Sequence, residues 1–132
     1  MKVFITGGAG FIGCNSAAHF LQQGHDVIVF DNLSRLGTPA NLAWLQANHG
    51  QRLSFVQGDI RNYDQLAQAI GGVDVVLHLA SQVAVTTSVL NPREDFEINA
   101  LGTFNVVEAV RHHAPQAAVI YSSTNKVYGG ME

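Results

Sequence analysis

The feature that most constrains this chain is a glycine repeat set directly after an apolar run. Lys2-Val3-Phe4-Ile5-Thr6 reads as a buried strand, and Gly7-Gly8-Ala9-Gly10-Phe11-Ile12-Gly13 follows at once. Gly7, Gly10 and Gly13 fall at every third position, and a helical pattern then runs to about Gln23. Strand, glycine turn and helix in that order form the context in which such glycines receive a dinucleotide pyrophosphate. Gly7 lets the chain leave the strand in a tight turn, and Gly10 leaves room for phosphate against bare backbone. Gly13 lets the helix pack close to the strand. The helix start, with Phe11 and Ile12, offers unpaired N–H groups and a partial positive charge to the phosphates. The alternative is an ordinary glycine-rich turn with no ligand.

Size and charge narrow the classes. A chain of 132 residues is expected to form one domain that buries roughly two-thirds of its unfolded surface. The apolar share of 47% and charged share of 13% suit a well-buried globular protein and argue against disorder. A net charge of −3 without a basic run argues against nucleic acid or an anionic membrane surface as partner. No apolar stretch approaches the length of a membrane span, and the early glycines break any signal-peptide core. The single cysteine, Cys14, excludes an internal disulfide and fits a reducing cytoplasm. In the first turn after Gly13 it reads as a small packing residue near the pyrophosphate; a redox role, with the thiol pKa lowered by the helix N-terminus, is the alternative.

The rest of the chain alternates strands and helices. After Gly24, residues 26–30 form a second strand that ends at Asp31, 18 residues beyond Gly13. A Rossmann unit places there the acid that accepts hydrogen bonds from the adenosine ribose. Its charge repels a 2′-phosphate and favours NAD over NADP, with Arg35 as a counterweight; a turn or cap role is the alternative. A helix over 39–48 carries Leu42 and Leu45 on one face, with Trp44 beside them as packing. Strand 53–57 leads to Gly58-Asp59-Ile60, where Asp59 could bind the adenine amino group or cap the next helix, over 62–70. Strand 73–80 is nearly all apolar, as in a parallel sheet covered on both faces. His78 interrupts it as a satisfied core residue. Asn91 caps a long helix that starts at Pro92 and runs to about His113. Within it, Asn99 is either ordinary helix polarity or a group reaching the catalytic floor. Strand 117–121 delivers Ser122-Ser123-Thr124 at its C-terminal end, where the active groups of open α/β sheets gather. No histidine pair has a metal-binding spacing. The pattern predicts a doubly wound α/β Rossmann fold, in three α/β/α layers, with five parallel strands in the order 3-2-1-4-5.

These motifs together resemble the extended short-chain dehydrogenase/reductase family of sugar-nucleotide epimerases and dehydratases. The resemblance covers the whole chain. It rests on Thr6 to Gly13, Asp31-Asn32-Leu33-Ser34-Arg35, Gly58-Asp59-Ile60, His78-Leu79-Ala80, Asn99, and Ser122-Ser123-Thr124 with Val127-Tyr128-Gly129. The stretches Gln82 to Ser88 with Asn91-Pro92, Asp95 to Asn99, and Tyr121 to Gly129 resemble most the CDP-paratose (CDP-tyvelose) 2-epimerase branch. Dehydratases of the family carry an Asp-Glu pair where this chain has Asn125 and Lys126, which disfavours dehydration. The resemblance implies a tightly held NAD that removes a hydride from a sugar carbon and returns it to the other face. It implies cofactor contacts from Gly7, Gly10, Phe11, Ile12, Gly13, Asp31, Asn32, Ser34, Arg35, Asp59, Ile60, Leu79, Ala80, Gln82, Asn99, Ser122 and Ser123. Thr124 would bond the reacting oxygen, or else satisfy nearby backbone at the strand end; Thr86 would touch the sugar, though Gln82 and Thr86 could instead merely order their loop. The implied partner is a nucleotide sugar.

One departure bears on activity. The family's general base is the tyrosine of a Tyr-x-x-x-Lys pair, and no such pair occurs here. Tyr63 precedes Ala67 at that spacing, Tyr121 precedes Asn125, and Tyr128 precedes Glu132. In the family the pair lies beyond the point where this chain stops, so the chain is expected to be a cofactor-binding portion that lacks activity alone. Apolar area near the fourth and fifth strands should then be exposed, which favours a homo-oligomer. Two alternatives stay open: a UDP-sugar 4-epimerase or related enzyme of the family, and a non-catalytic NAD-binding or redox-sensing module.

Overall fold

A computed structural model describes residues 1–82 and 84–124. Its centre is a parallel sheet of β1 (Lys2–Thr6), β2 (Asp26–Asp31), β3 (Leu53–Gln57), β4 (Val75–His78) and β5 (Ala118–Tyr121). The strand order is β3-β2-β1-β4-β5, as the alternation of elements predicts. β1 pairs with β2 on one side (Ile5 opposite Val29) and with β4 on the other (Ile5 opposite Leu77). The order therefore reverses between β1 and β4, and the crevice at such a reversal is where open α/β sheets bind ligands.

Alternation along the strands builds two cores. Val3 and Ile5 of β1, with Val27 and Val29 of β2, face α1 (Phe11–Gln22) and α2 (Thr38–His49). Ala17, Ala18, Leu21, Leu42 and Leu45 meet them there. Phe4, Ile28, Phe30 and Val76 point the other way, onto α3 (Tyr63–Ala69) and α6 (Gly102–His113) through Leu66, Val106, Ala109 and Val110. The two-residue period of a strand puts successive side chains on opposite faces, so the helices form one layer on each side.

Three local expectations are revised. Asp59 is not the cap of α3. Asn62 is, its side-chain oxygen accepting from the Gln65 N–H, while the Gln65 Oε1 accepts from the Asp59 N–H at 2.9 Å. The long helix is segmented: α5 (Pro92–Phe96) passes through a π-turn (Glu97–Leu101) into α6. Asn91 does cap it, accepting from the Glu94 N–H. A short helix that sequence periodicity does not announce, α4 (Val85–Leu90), precedes it. Its residues Val85, Val89 and Leu90 are exposed, so no buried stripe marks it. Trp44 is 48% exposed and meets His49 edge-on. β5, an edge strand, leaves Val119, Ile120 and Tyr121 exposed, in line with the apolar exposure expected near the fourth and fifth strands.

Candidate functional site

The glycine turn is held from three sides. The Gly7 N–H donates to the Phe30 carbonyl at 2.8 Å, and the Gly10 N–H donates to the Gly7 carbonyl at 3.0 Å. The Ala9 N–H donates to Asp31 Oδ2 at 3.0 Å, and its carbonyl accepts from Asn41 Nδ2 at 2.8 Å. Gly7 has φ +67°, and a Cβ there would stand 2.8 Å from the Ala80 nitrogen. A Cβ on Gly13 would collide with the Gly7 carbonyl oxygen and lie 2.6 Å from Gly8 Cα. Glycine is thus required at both positions, once for backbone conformation and once for close helix–turn contact. At Gly10, among the described residues beyond the adjoining chain, such a Cβ would meet the Gly7 oxygen alone, at 3.1 Å. The turn is open on that side, as a phosphate cradle needs. The N–H groups of Phe11, Ile12 and Gly13 belong to the first helical turn, which no intrahelical carbonyl can satisfy. The Cys14 N–H already donates to the Gly10 carbonyl. Phe11 and Ile12 are 82% and 63% exposed, so their side chains stand outside the core at the start of α1.

Asp31, buried at the end of β2, serves the turn and its own loop together. Oδ2 accepts from Ala9 and Oδ1 accepts from the Leu33 N–H at 2.8 Å. Each carboxylate oxygen has two acceptor positions, so beside these two bonds each has room for one further donor. Leu33 takes the left-handed conformation, φ +57°. Asn32 Oδ1 accepts from the Ser34 N–H, and the Arg35 carbonyl accepts from the Thr38 hydroxyl at 2.7 Å. Leu33, Ser34, Arg35, Leu36, Gly37, Pro39 and Ala40 line an open depression of about 590 Å³ beside this carboxylate.

Asp59 is more occupied than its sequence position suggests. Oδ1 accepts from the Arg61 N–H and from Arg61 Nε, both at 2.9 Å. Oδ2 accepts from Arg61 Nη2 at 2.7 Å and from Asn32 Nδ2 at 3.1 Å. All four acceptor positions are filled. The Arg61 guanidinium lowers the Asp59 carboxyl to about pKa 2. Ile60 has its side chain in the core, where the Gly102 backbone leaves it space, and its carbonyl accepts from Asn105 Nδ2.

On the far side of the crevice, β4 ends in a polar junction. The Leu79 and Ala80 N–H groups both lie 3.2 Å from Thr6 Oγ1. His78 is 3% exposed, with Nδ1 2.7 Å from Thr6 Oγ1 and Nε2 2.9 Å from Thr103 Oγ1. Burial lowers its pKa to about 4. It is the satisfied core histidine that its sequence setting suggests. Asn99, on the π-turn, accepts from the Gln82 N–H at 2.9 Å and donates to the Gln82 carbonyl and to Asp95 Oδ1. The Gln82 side chain closes onto its own loop, through the Ala84 N–H and carbonyl. Thr86 is exposed on α4, and Ser122, Ser123 and Thr124 are exposed after β5. The Ser122 N–H donates to the His78 carbonyl at 3.3 Å. Residues 125–129, which complete the Tyr121-to-Gly129 motif, lie outside the described residues.

The C-terminal strand ends therefore bring together Gly7–Gly13, Asp31, Asp59, Ala80–Gln82 and Ser122–Thr124. Thr6, Asn41, Arg61 and Thr103 were not visible as site residues in the sequence. The one available signal was Arg61, a cation two places after an acid; the other three act through pairings between residues distant in sequence.

Comparison with known proteins agrees with this geometry. The family model described as GDP-mannose 4,6 dehydratase matches residues 4–132. The chain is 53% identical to CDP-paratose 2-epimerase of Salmonella typhi, over 100% of this chain and 39% of that protein. It superposes on UDP-glucose-4-epimerase from Stenotrophomonas maltophila, crystallised with NAD and formylated UDP-arabinopyranose. That match has TM-score 0.90 and 31% identity, over 100% of this chain and 39% of the other. A dTDP-glucose 4,6-dehydratase from Streptomyces venezuelae with NAD bound gives TM-score 0.88 and 36% identity, over 100% and 42%. The chain thus spans about two-fifths of the length of these relatives. Residue pattern, fold and site geometry agree: the chain belongs to the GDP-mannose 4,6 dehydratase family, among the sugar-nucleotide epimerases and dehydratases of the extended short-chain dehydrogenase/reductase group.

Proposed function

We propose that residues 1–132 form the NAD-holding unit of a nucleotide-sugar epimerase of the CDP-paratose 2-epimerase type. The observation that carries the cofactor reading is the cradle: a left-handed Gly7, a Gly13 with no room for a Cβ, and Asp31 tied to the turn between them. The 53% identity to a CDP-paratose 2-epimerase supports the branch, as do Asn125 and Lys126 in place of the dehydratase Asp-Glu pair.

The Gly7–Gly13 backbone would hold the pyrophosphate, using the helix N-terminus. Asp31 would take the adenosine ribose, with Asn32, Ser34 and Arg35 beside it. Its negative charge disfavours a 2′-phosphate. Asp59 reaches adenine only if Arg61 or Asn32 yields an acceptor position, and Ile60 contributes backbone at that end. Leu79, Ala80, Gln82, Asn99, Ser122 and Ser123 would border the nicotinamide end. Thr124 would donate a hydrogen bond to the reacting sugar oxygen, and Thr86 would contact the sugar. When bound, NAD supplies a reversible two-electron oxidation at a sugar carbon. Without a Tyr-x-x-x-Lys pair, this span has no general base for that step and does not turn over alone. We assign the chain to the cytoplasm on its single cysteine, which suits a reducing compartment. Among the described residues no helix is long and apolar enough to cross a membrane.

Calorimetric titration tests the assignment. NAD binds and NADP binds at least tenfold more weakly; equal affinities would contradict the role of Asp31. Turnover of a CDP-linked dideoxyhexose by the 132-residue chain would refute the claim of incompetence. Self-association is also proposed, because Leu101, Phe104, Val107 and Ile120 are 40%, 62%, 48% and 54% exposed. A single monomer peak in size-exclusion chromatography with light scattering would refute it.

A further inference from the structure

The chemistry assigned above gives no task to the buried His78, yet both its ring nitrogens are engaged. We propose that His78 is a positioning residue, the middle of a one-way hydrogen-bond chain Thr6–His78–Thr103–Asn99 that fixes the π-turn carrying Asn99 to the Gln82 loop. The proposal rests on the cofactor reading only for what that loop borders.

The direction of the chain follows from its donors. Thr6 Oγ1 receives the Leu79 and Ala80 N–H groups, so both its acceptor positions are taken and its proton points to His78 Nδ1. Nδ1 is then an acceptor, and the neutral ring carries its hydrogen on Nε2. That hydrogen goes to Thr103 Oγ1, whose own proton goes to the Asn99 carbonyl at 2.7 Å. Only one tautomer satisfies every group, and the depressed basicity of the ring agrees with a neutral state. Thr103 lies four residues after Asn99, and a hydroxyl bonded back to that carbonyl opens and bends a helix. The π-turn at Glu97–Leu101 sits at that place, and such turns recur at functional sites.

Two ends of the crevice are joined in this way. At one end, Thr6 holds the Ala80 backbone against Gly7. At the other, Asn99 holds both polar backbone groups of Gln82 and reaches Asp95, which accepts from the Ser88 hydroxyl on α4 at 2.8 Å. The proposed sugar-side loop is thereby referenced to the glycine turn through a buried imidazole.

The test compares wild type with Thr103→Val, which keeps the shape and removes the hydroxyl, and with Thr103→Ser, which restores it. The readout is amide hydrogen exchange by NMR at Gln82, divided by that at Val27, whose N–H donates to the Arg52 carbonyl on the far side of the sheet. In Thr103→Val the ratio rises about tenfold, the scale of one lost buried hydrogen bond, and Thr103→Ser returns it to the wild-type value. An unchanged ratio in Thr103→Val, whether both amides hold or both accelerate, would overturn the proposal, as would a serine variant that fails to restore it. Long-range ¹H–¹⁵N correlation of the wild-type ring must also show hydrogen on Nε2; hydrogen on Nδ1 would overturn it. Neither readout uses NAD, so failure of the cofactor reading would appear in the calorimetric titration alone.

Discussion

Lowering the pH should destabilise this fold through His78 before most carboxylates titrate. The ring's ordinary pKa of 6.5 falls to about 4 in the folded chain because it is buried. A base depressed on folding binds more protons in the unfolded state between those values. Stability is therefore complete above pH 6.5 and falls as pH drops toward 4. The full difference is roughly 3 kcal/mol at 1.36 kcal/mol per unit. Between pH 7 and pH 5 the linkage relation for this one group, with its folded and unfolded pKa values, yields about 1.8 kcal/mol. Urea unfolding at the two pH values, with a slope of about 2 kcal/mol/M, should show the midpoint falling by about 1 M from this residue. Comparison with His78→Gln isolates the effect, because the other titrating groups act similarly in both proteins and only the wild type loses the His78 contribution. Equal pH dependence in the two would show that His78 is not the group responsible. If the variant does not fold, NMR titration of the His78 ring in the wild type decides instead. A ring half-protonated near pH 6.5 would mean that it is not desolvated as its burial indicates.

Substitutions at two positions probe other parts of the framework. Gly13→Ala places a methyl on the Gly7 carbonyl, and rigid backbone cannot yield cheaply; we expect a loss of roughly 2 kcal/mol, read as a fall of about 6–10 °C in Tm by calorimetry. An unchanged Tm would show that helix and turn are not in close contact. Asn62→Ala should cost about 1 kcal/mol by removing the cap of α3, and Asn62→Asp should be nearly neutral. Equal stability of Asn62→Ala and wild type in urea would return the capping role to another residue.

Sequence alone determined much of this protein. Period-2 and period-3.6 patterns, punctuated by Gly24, Gly71-Gly72 and Pro115, gave the strands, most helices and the order 3-2-1-4-5, because those signals are local and crossover handedness restricts the topology. The glycines were legible because their need for a bare backbone is written at fixed spacing, and Asp31 because strand length sets its distance from them. Pairing between distant residues was settled in three dimensions. Which side chain caps α3 depended on Asn62 and Gln65 closing around Asp59. That Asp59 is already filled depended on Arg61 and Asn32. The π-turn arose where Thr103, His78 and Thr6 meet across three elements, and no periodicity encodes such a meeting. Buried polar groups must find partners wherever the fold brings them, so their arrangement is settled only once distant segments are in contact.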